Sequence, residues 1–143
     1  LFLDVAKGAA PVLIAHTVTL DTALIAGLFA VFGHNFPVWL KFKGGKGVAT
    51  TLGVLLGLYW PIGLIAISTW IVTAGIFRFS SLAAICALCA SPFYAWYLAN
   101  EKVALISVIL SVLGIARHHQ NINRLITGDE SRISFGKNSK SGE

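Results

Sequence analysis

The chain has 143 residues, of which 56% are hydrophobic and 12% are charged, and its formal net charge is +5. This composition is too apolar for an ordinary soluble domain. The apolar runs are continuous rather than alternating every second residue, which argues against a closed β-barrel. We therefore predict an all-α, polytopic membrane protein. Its excess of basic residues indicates cytoplasmic loops rather than a nucleic-acid-binding surface.

Six apolar segments are predicted to form helices that cross the membrane, for which roughly 20 helical residues are needed. They comprise residues 4–17, 22–32, 48–59, 61–77, 82–98 and 103–116. The third is about two-thirds of a full span, so it is either a short crossing or a half-helix that ends inside protein. After Arg117 the sequence favours a short interfacial helix, and residues 131–143 form a polar tail that we expect to be disordered.

Basic residues are unevenly distributed among the connections between these segments. Counting the crossings places the loop at 41–46, the turn at Arg78 and the stretch 117–140 on one side of the membrane. Every basic residue except Lys7 and Lys102 lies in these three places. The positive-inside tendency assigns that side to the cytoplasm.

The loop between the second and third crossings concentrates cationic and flexible residues. Residues 33–50 read G-H-N-F-P-V-W-L-K-F-K-G-G-K-G-V-A-T. Glycines expose backbone N–H groups, and the helix that follows directs its positive end toward them. The loop lacks the G-x-x-x-x-G-K-[ST] spacing of a P-loop, so nucleotide hydrolysis is a poor fit. Two interpretations stay open: a phosphate-binding loop, or a determinant of topology and lipid head-group contact.

Histidine and asparagine residues supply the candidate catalytic groups. In R-H-H-Q-N-I-N-R-L-I-T-G-D-E, residues 117–130, His118 and Asn121 are three apart and share one face of a helix. A histidine can deprotonate a hydroxyl while an amide orients the substrate or stabilises developing charge. The alternative is a capping and snorkelling segment at the membrane boundary. His34, at the mouth of the basic loop, is either a binding residue or an ordinary interfacial histidine.

Other reactive or charged residues have simpler interpretations. Cys86 and Cys89 form a lone C-x-x-C inside an apolar segment, and we interpret them as small residues in lipid or at a helix contact. Asp4 and Lys7 are expected to pair at i and i+3, because an unpaired charge in lipid is expensive. Too few carboxylates accompany the histidines for a convincing metal site, and no other cofactor is expected.

The two quoted motifs resemble the second and third signature motifs of the bacterial membrane acyl-phosphate:glycerol-3-phosphate acyltransferases. Residues 3–11 are similar to the D-x-x-K-G-x-x-P segment that follows that family's first motif. The resemblance covers residues 1–130, which we take as one membrane acyltransferase domain. It implies a seven-helix fold, with about six crossings present here and the motifs on the cytoplasmic side of the bacterial inner membrane.

The resemblance also implies a reaction. An acyl group moves from an acyl-phosphate to the sn-1 hydroxyl of glycerol 3-phosphate, which gives 1-acyl-glycerol 3-phosphate (lysophosphatidate) and phosphate in bacterial phospholipid synthesis. The expected partners are these two substrates and membrane lipid. A membrane anion transporter and a lipid-binding scaffold are the rival functions.

The same resemblance assigns roles to individual residues. The essential histidine and asparagine correspond to His118 and Asn121, and Glu130 is expected to be structural. His119 occupies a variable position in the motif, which favours His118. The glycerol 3-phosphate site corresponds to residues in and beside the basic loop: His34, Lys41, Lys43, Gly44, Gly45, Lys46 and Gly47. The proton of the attacking hydroxyl is removed either by His118 or by a phosphate oxygen of the substrate.

The family's first motif, a Gly/Ser/Asn-rich loop with an essential serine and arginine, has no counterpart in the sequence. We expect that this motif and an N-terminal helix precede Leu1 in the complete protein. Residues 1–143 expressed alone are therefore expected to be inactive.

Overall fold

The computed structural model describes residues 1–38, 41 and 44–134. Within these residues it contains no β-strand and seven α-helices: α1 (Phe2–His16), α2 (Leu20–Asn35), α3 (Val48–Leu58), α4 (Trp60–Phe77), α5 (Ser80–Leu98), α6 (Glu101–Arg117) and α7 (His119–Thr127). The all-α class is therefore confirmed. The six predicted segments correspond to α1–α6, and α7 is the short helix predicted after Arg117.

Two of the described helices are long and apolar enough to cross a bilayer by themselves, namely α4 with 18 residues and α5 with 19. α6 meets these criteria only as a pair with α7, from which it is bent by 59°. α2 and α3 are shorter apolar helices, so their ends depend on neighbouring helices for cover. Large side chains on the outer faces are exposed, Ile76 by 68% and Phe93 by 77%, as a lipid-facing surface requires.

α1 and α3 approach each other closely through glycine residues. A Cβ atom on Gly8 of α1 would overlap the carbonyl oxygen of Thr50, and one on Gly53 of α3 would overlap that of Val5. Gly57, one turn after Gly53, packs against α1 as well. Small residues let helix backbones come together in membranes, where van der Waals packing drives association. This contact holds the short α3 against α1.

Hydroxyl groups link α4, α5 and α6, the helices that lead to the motif of residues 117–130. Ser111 of α6 donates to the Leu88 carbonyl of α5 at 2.6 Å. The Thr69 hydroxyl of α4 lies 2.9 Å from the Tyr94 hydroxyl of α5. Such bonds satisfy polar groups that have no access to water in an apolar interior. They align α4, α5 and α6 side by side.

Basic residues from separate parts of the chain gather at one end of the bundle, where α2, α4 and α6 end. Arg117 contacts the loop of residues 44–47, and Arg78 contacts Ile133. Lys102 instead pairs with Asp21 at 2.7 Å, where α6 and α2 begin. The two groups of charges thus lie at opposite ends, as the count of crossings predicted. Lys43 and residues 135–143, which include most of the predicted disordered tail, lie outside the described residues.

Replacing Gly53 with alanine should destabilise the bundle, because the new methyl group would meet the backbone of α1 rather than a movable side chain. We expect a loss of about 1–3 kcal/mol, measured as a lower midpoint of thermal unfolding in detergent. Gly75→Ala is the matched control, since nothing lies within 4 Å of a Cβ atom built on Gly75 of α4 and alanine favours a helix over glycine. An equal fall in both variants would contradict this account of the packing.

Candidate active site

The loop that leads into α3 is built around three glycines. Gly47 is the N-cap of α3 and has a φ of 78°, in the left-handed region that glycine adopts without strain. A Cβ atom on Gly44 would meet the backbone of His34 and Asn35, and one on Gly45 would meet the His34 imidazole. The loop therefore lies directly against the C-terminal end of α2. The first N–H groups of α3 have no partner within the helix and form the positive end of its dipole.

His34 connects this loop to α1. Its imidazole packs against Gly45, and its Nδ1 lies 3.8 Å from a carboxylate oxygen of Asp4. Asp4 also accepts a hydrogen bond from Lys7 Nζ at 3.3 Å, which is the i and i+3 pair predicted from the sequence. The structure thus places His34 at the loop, while its role in binding stays a prediction.

Arg117, the last residue of α6, reaches back to the same loop. Its Nη2 donates to the Gly44 carbonyl at 2.9 Å, and its Nε donates to the Gly45 carbonyl at 3.3 Å. The guanidinium carbon lies 5.4 Å from the centroid of the Phe36 ring, within the range of a cation–π contact. The end of α6 is thereby joined to the loop and to the residue that follows α2.

His118 lies at the break between α6 and α7, beyond the last residue of α6, and is only 2% exposed. Its Nδ1 is 2.7 Å from the Gly114 carbonyl oxygen. A carbonyl can only accept, so Nδ1 carries the proton and Nε2 of the neutral ring is left as an acceptor. Burial lowers the pKa of His118, and the nearby charge of Lys46 acts in the same direction. The neutral imidazole is therefore available as a base.

Asn121, on the first turn of α7, is oriented by Glu130. Its Nδ2 donates to one carboxylate oxygen of Glu130 at 2.7 Å, and the Nε of Arg124 donates to the other at 2.7 Å. An ionised carboxylate can only accept, which turns the amide oxygen of Asn121 away from Glu130. This is the arrangement that a structural role for Glu130 requires, and the role itself stays a prediction.

Glu130 is held in its ionised form although its side chain is only 6% exposed. Burial alone would raise its pKa, but the nearby hydroxyl of Ser81, the hydrogen bonds from Asn121 and Arg124 and the charge of Arg124 outweigh it and lower the pKa to about 2. The Ser81 hydroxyl makes no hydrogen bond of good geometry among the described residues. We therefore attribute the lowered pKa chiefly to the two nitrogen donors.

A cavity of about 640 Å³ lies between α1, α3, α4, α5 and the α6–α7 break. Its polar end is lined by Lys46, Ser81, His118, Asn121 and Glu130. Most of the remaining wall is apolar and includes Val5, Leu52, Ile67, Trp70 and Ile71. A cavity with a few polar groups at one end of an apolar wall suits an amphiphilic ligand.

The cavity brings together four of the residues predicted from the sequence, Lys46, His118, Asn121 and Glu130. The other predicted loop residues lie beside Lys46 without lining the cavity: His34, Gly44, Gly45 and Gly47. Lys41 is exposed, has a φ of 50°, and does not line the cavity either. The binding roles of these residues, and of Lys43 outside the described residues, stay predictions.

Ser81 and Arg117 are among the polar residues of this region that sequence reasoning did not single out. Ser81 is 6% exposed and lines the cavity from the first turn of α5. Arg117 ends an apolar segment, which is typical of an arginine that snorkels to a membrane boundary. Both residues interrupt apolar runs, and this is the feature of the sequence from which they could have been identified. A sequence does not show that the start of α5 lines the same cavity as Lys46, or that the end of α6 contacts the basic loop.

The segment after α7 is anchored on the turn between α4 and α5. Arg78 donates through Nε and Nη2 to the Ile133 carbonyl at 3.1 and 2.9 Å, and the Ile133 N–H donates to the Arg78 carbonyl at 2.7 Å. The Arg132 guanidinium lies 5.4 Å from the centroid of the Phe79 ring. This anchoring keeps residues 130–131 in the cavity wall.

Comparison with known proteins agrees with the resemblance of the motifs. The model of the glycerol-3-phosphate acyltransferase family matches residues 1–128. The glycerol-3-phosphate acyltransferase of Paramagnetospirillum magneticum is 53% identical over 142 residues, which cover 99% of this chain and 71% of that protein. The enzyme of the same name from Rhodospirillum rubrum is 49% identical over 146 residues, covering 96% and 68%.

Two solved structures share the fold. One is PlsY (YgiH), an integral membrane glycerol 3-phosphate acyltransferase, in its glycerol 3-phosphate form. It matches with a TM-score of 0.89 and 37% identity over 93% of this chain and 68% of its own. The lysophosphatidic acid form of PlsY matches with a TM-score of 0.85 and 38% identity over 93% and 70%. The integral membrane character of the fold is thereby confirmed.

Replacing Glu130 with glutamine should weaken the dependence of stability on pH. The folded-state pKa of about 2 lies below the ordinary 4.5, so the carboxylate stabilises the fold above about pH 4.5 and this contribution is lost as the pH falls toward 2. We expect the wild-type midpoint of thermal unfolding in detergent to fall across that range. The Glu130→Gln midpoint should start lower at neutral pH and fall less.

Glu101→Gln is the control for this experiment, since it removes an exposed carboxylate at the start of α6. The midpoint of thermal unfolding of this variant should depend on pH as that of the wild type does. Parallel curves for wild type and Glu130→Gln would contradict the lowered pKa of Glu130.

Proposed function

The chain belongs to the glycerol-3-phosphate acyltransferase family, and we propose that it transfers an acyl group from an acyl-phosphate to the sn-1 hydroxyl of glycerol 3-phosphate. The products are 1-acyl-glycerol 3-phosphate and inorganic phosphate. The observation that carries this proposal is that Lys46 and His118 line the same cavity, most of whose remaining wall is apolar. A phosphorylated lipid with one acyl chain likewise has a charged head, which suits Lys46 and His118, and an apolar chain, which suits the wall.

Lys46 and the start of α3 supply the groups for the phosphate of glycerol 3-phosphate. Lys46 lines the cavity, and α3 begins directly after Gly47 with N–H groups that have no helical partner. A helix N-terminus together with a cation favours a phosphate group. Burial lowers the pKa of Lys46, and a bound phosphate would favour its charged form again.

The apolar wall is suited to the acyl chain of the donor and of the product. It includes Ile67, Trp70 and Ile71 of α4 and Leu52 of α3. The tails of the bilayer lipids are as apolar as this wall, so the acyl chain of a membrane-bound donor can lie against it without entering water. The chain would therefore lie along the helices while the reacting carbonyl lies at the polar end.

His118 is proposed as the base that activates the acceptor. With Nδ1–H bound to the Gly114 carbonyl, Nε2 accepts the proton of the sn-1 hydroxyl. The hydroxyl oxygen forms a bond to the acyl carbonyl carbon, the bond from that carbon to the phosphate oxygen breaks, and the proton passes from His118 to the leaving phosphate or to water. An acyl-phosphate is a reactive mixed anhydride, so no covalent enzyme intermediate is needed. Lys46 stabilises the negative charge that develops.

We place this reaction at the cytoplasmic face of the bacterial inner membrane. The polar end of the cavity lies at the end of the bundle that carries Arg78, Arg117 and Arg124. The positive-inside tendency assigns such an end to the cytoplasm. There, water-soluble glycerol 3-phosphate and a membrane-bound acyl donor can reach one cavity from different sides.

The full-length protein tests this proposal in detergent or in bilayers. Glycerol 3-phosphate should be consumed, and phosphate released, only when an acyl-phosphate is present. Acyl-CoA and acyl-carrier protein with the same acyl chain serve as control donors and should support no transfer. Comparable transfer from either control donor would contradict the assigned donor, and anion flux through sealed vesicles without acyl transfer would favour the transporter instead.

Replacing His118 with alanine should lower kcat by about 10²–10⁴-fold, because the base is lost, while KM for glycerol 3-phosphate changes little. His119→Ala is the matched control, since the neighbouring imidazole is exposed and its Nδ1 lies 3.0 Å from the Ala116 carbonyl. That variant should keep the wild-type rate. Unchanged turnover in His118→Ala would instead assign proton removal to a phosphate oxygen of the substrate.

A further inference from the structure

Arg117 contacts the glycine loop but does not line the cavity. Its Nη2 and Nε donate to two successive carbonyl groups, at 2.9 and 3.3 Å, and its guanidinium lies over the Phe36 ring. A guanidinium is a planar fork that meets two acceptors in a defined geometry. Anchoring an arginine at a membrane boundary requires neither the two carbonyl contacts nor the ring.

Binding of two carbonyl groups also orients two N–H groups. In a trans peptide the C=O bond and the following N–H bond point in opposite directions. The carbonyls of Gly44 and Gly45 point to Arg117, so the N–H groups of Gly45 and Lys46 point away from it. Without the guanidinium these peptides would be free to rotate, because glycine adopts positive and negative φ values almost equally.

Arg117 and His118 are consecutive residues at the end of α6. The side chain of Arg117 is bound to the loop, and that of His118 is bound to Gly114 one turn earlier in α6. Both the loop and the imidazole are therefore attached to the same turn of one helix. A shift of the loop relative to the imidazole would have to break the contacts of Arg117.

We propose that Arg117 is a positioning residue that orients the phosphate-binding loop and holds it in register with His118. The proposal rests on the proposed function, because it assigns the loop to glycerol 3-phosphate. Arg117 acts through the backbone of Gly44 and Gly45 and not by contact with the phosphate or the reacting carbon. Its loss therefore affects the use of glycerol 3-phosphate more than the use of the acyl donor.

Initial rates of the full-length protein, with each substrate varied in turn, test this role. Arg117→Ala should raise KM for glycerol 3-phosphate roughly tenfold or more, while KM for the acyl-phosphate stays within about twofold. Arg117→Lys keeps the charge without the fork and should lie between wild type and Arg117→Ala. Added methylguanidinium should restore part of the affinity of Arg117→Ala for glycerol 3-phosphate and none of the activity of His118→Ala.

Phe36→Leu tests the hold on the guanidinium without changing any charge. It removes the ring beneath the guanidinium and should raise the same KM by a smaller factor than Arg117→Ala. Lys102→Ala, which removes a cation from the other end of α6, is the control and should match wild type. Phe36→Leu and Arg117→Lys also test the proposal if Arg117→Ala does not fold.

Two outcomes would overturn the role of Arg117. One is an equal rise in both KM values without rescue by methylguanidinium, which indicates a general loss of structure. The other is wild-type kinetics in Arg117→Ala. Wild-type protein without acyl-phosphate-dependent transfer in the same assay would refute the proposed function itself, so the two failures are distinguishable.

Discussion

Backbone contact between α1 and α3 determines where the basic loop lies. α3 has 11 residues and cannot span a bilayer by itself, so its depth is set by its neighbours. At Gly8 and Gly53 neither helix has a side chain that could keep the other at a distance, and α3 has little freedom to slide or rotate. The start of α3, and Gly47 before it, are therefore fixed relative to α1. A cationic, glycine-rich loop would otherwise be too flexible to present Lys46 to a defined place.

His118 and Glu130 share the polar end of the cavity, and each is held in a different charge state. His118 is kept neutral by burial and oriented by a carbonyl of the helix before it. Glu130 is kept anionic by nitrogen donors from the helix before it, and it orients Asn121 in turn. Across the bend of 59° between α6 and α7, the histidine takes its orientation from α6, and the asparagine takes its orientation from Glu130 in the segment after α7. In a straight helix, His118 and Asn121 would lie on one face and would be surrounded by the same neighbouring groups.

Helix positions could be predicted from the sequence because polar residues interrupt the apolar runs, for example at Arg78 and at Asn100. The meeting of Lys46 with His118 followed only from the family resemblance, since no spacing relates two residues so far apart in the chain. The contacts of Arg117 could not be predicted at all. An arginine at the end of an apolar helix has the same sequence pattern whether it reaches lipid head groups or a loop of the same protein.

The apolar wall of the cavity does not end inside the bundle. Ile71 lines the cavity and is also 57% exposed, so the bundle does not enclose this part of the wall. A hydrocarbon chain can therefore pass sideways between the cavity and the surrounding lipid without entering water. The quantity that governs its encounter with the protein is then its mole fraction in the bilayer rather than its molarity in the suspension. Adding inert lipid lowers this mole fraction and so slows the encounters, even when the molar concentrations of the hydrocarbon chain and of the protein in the suspension are unchanged.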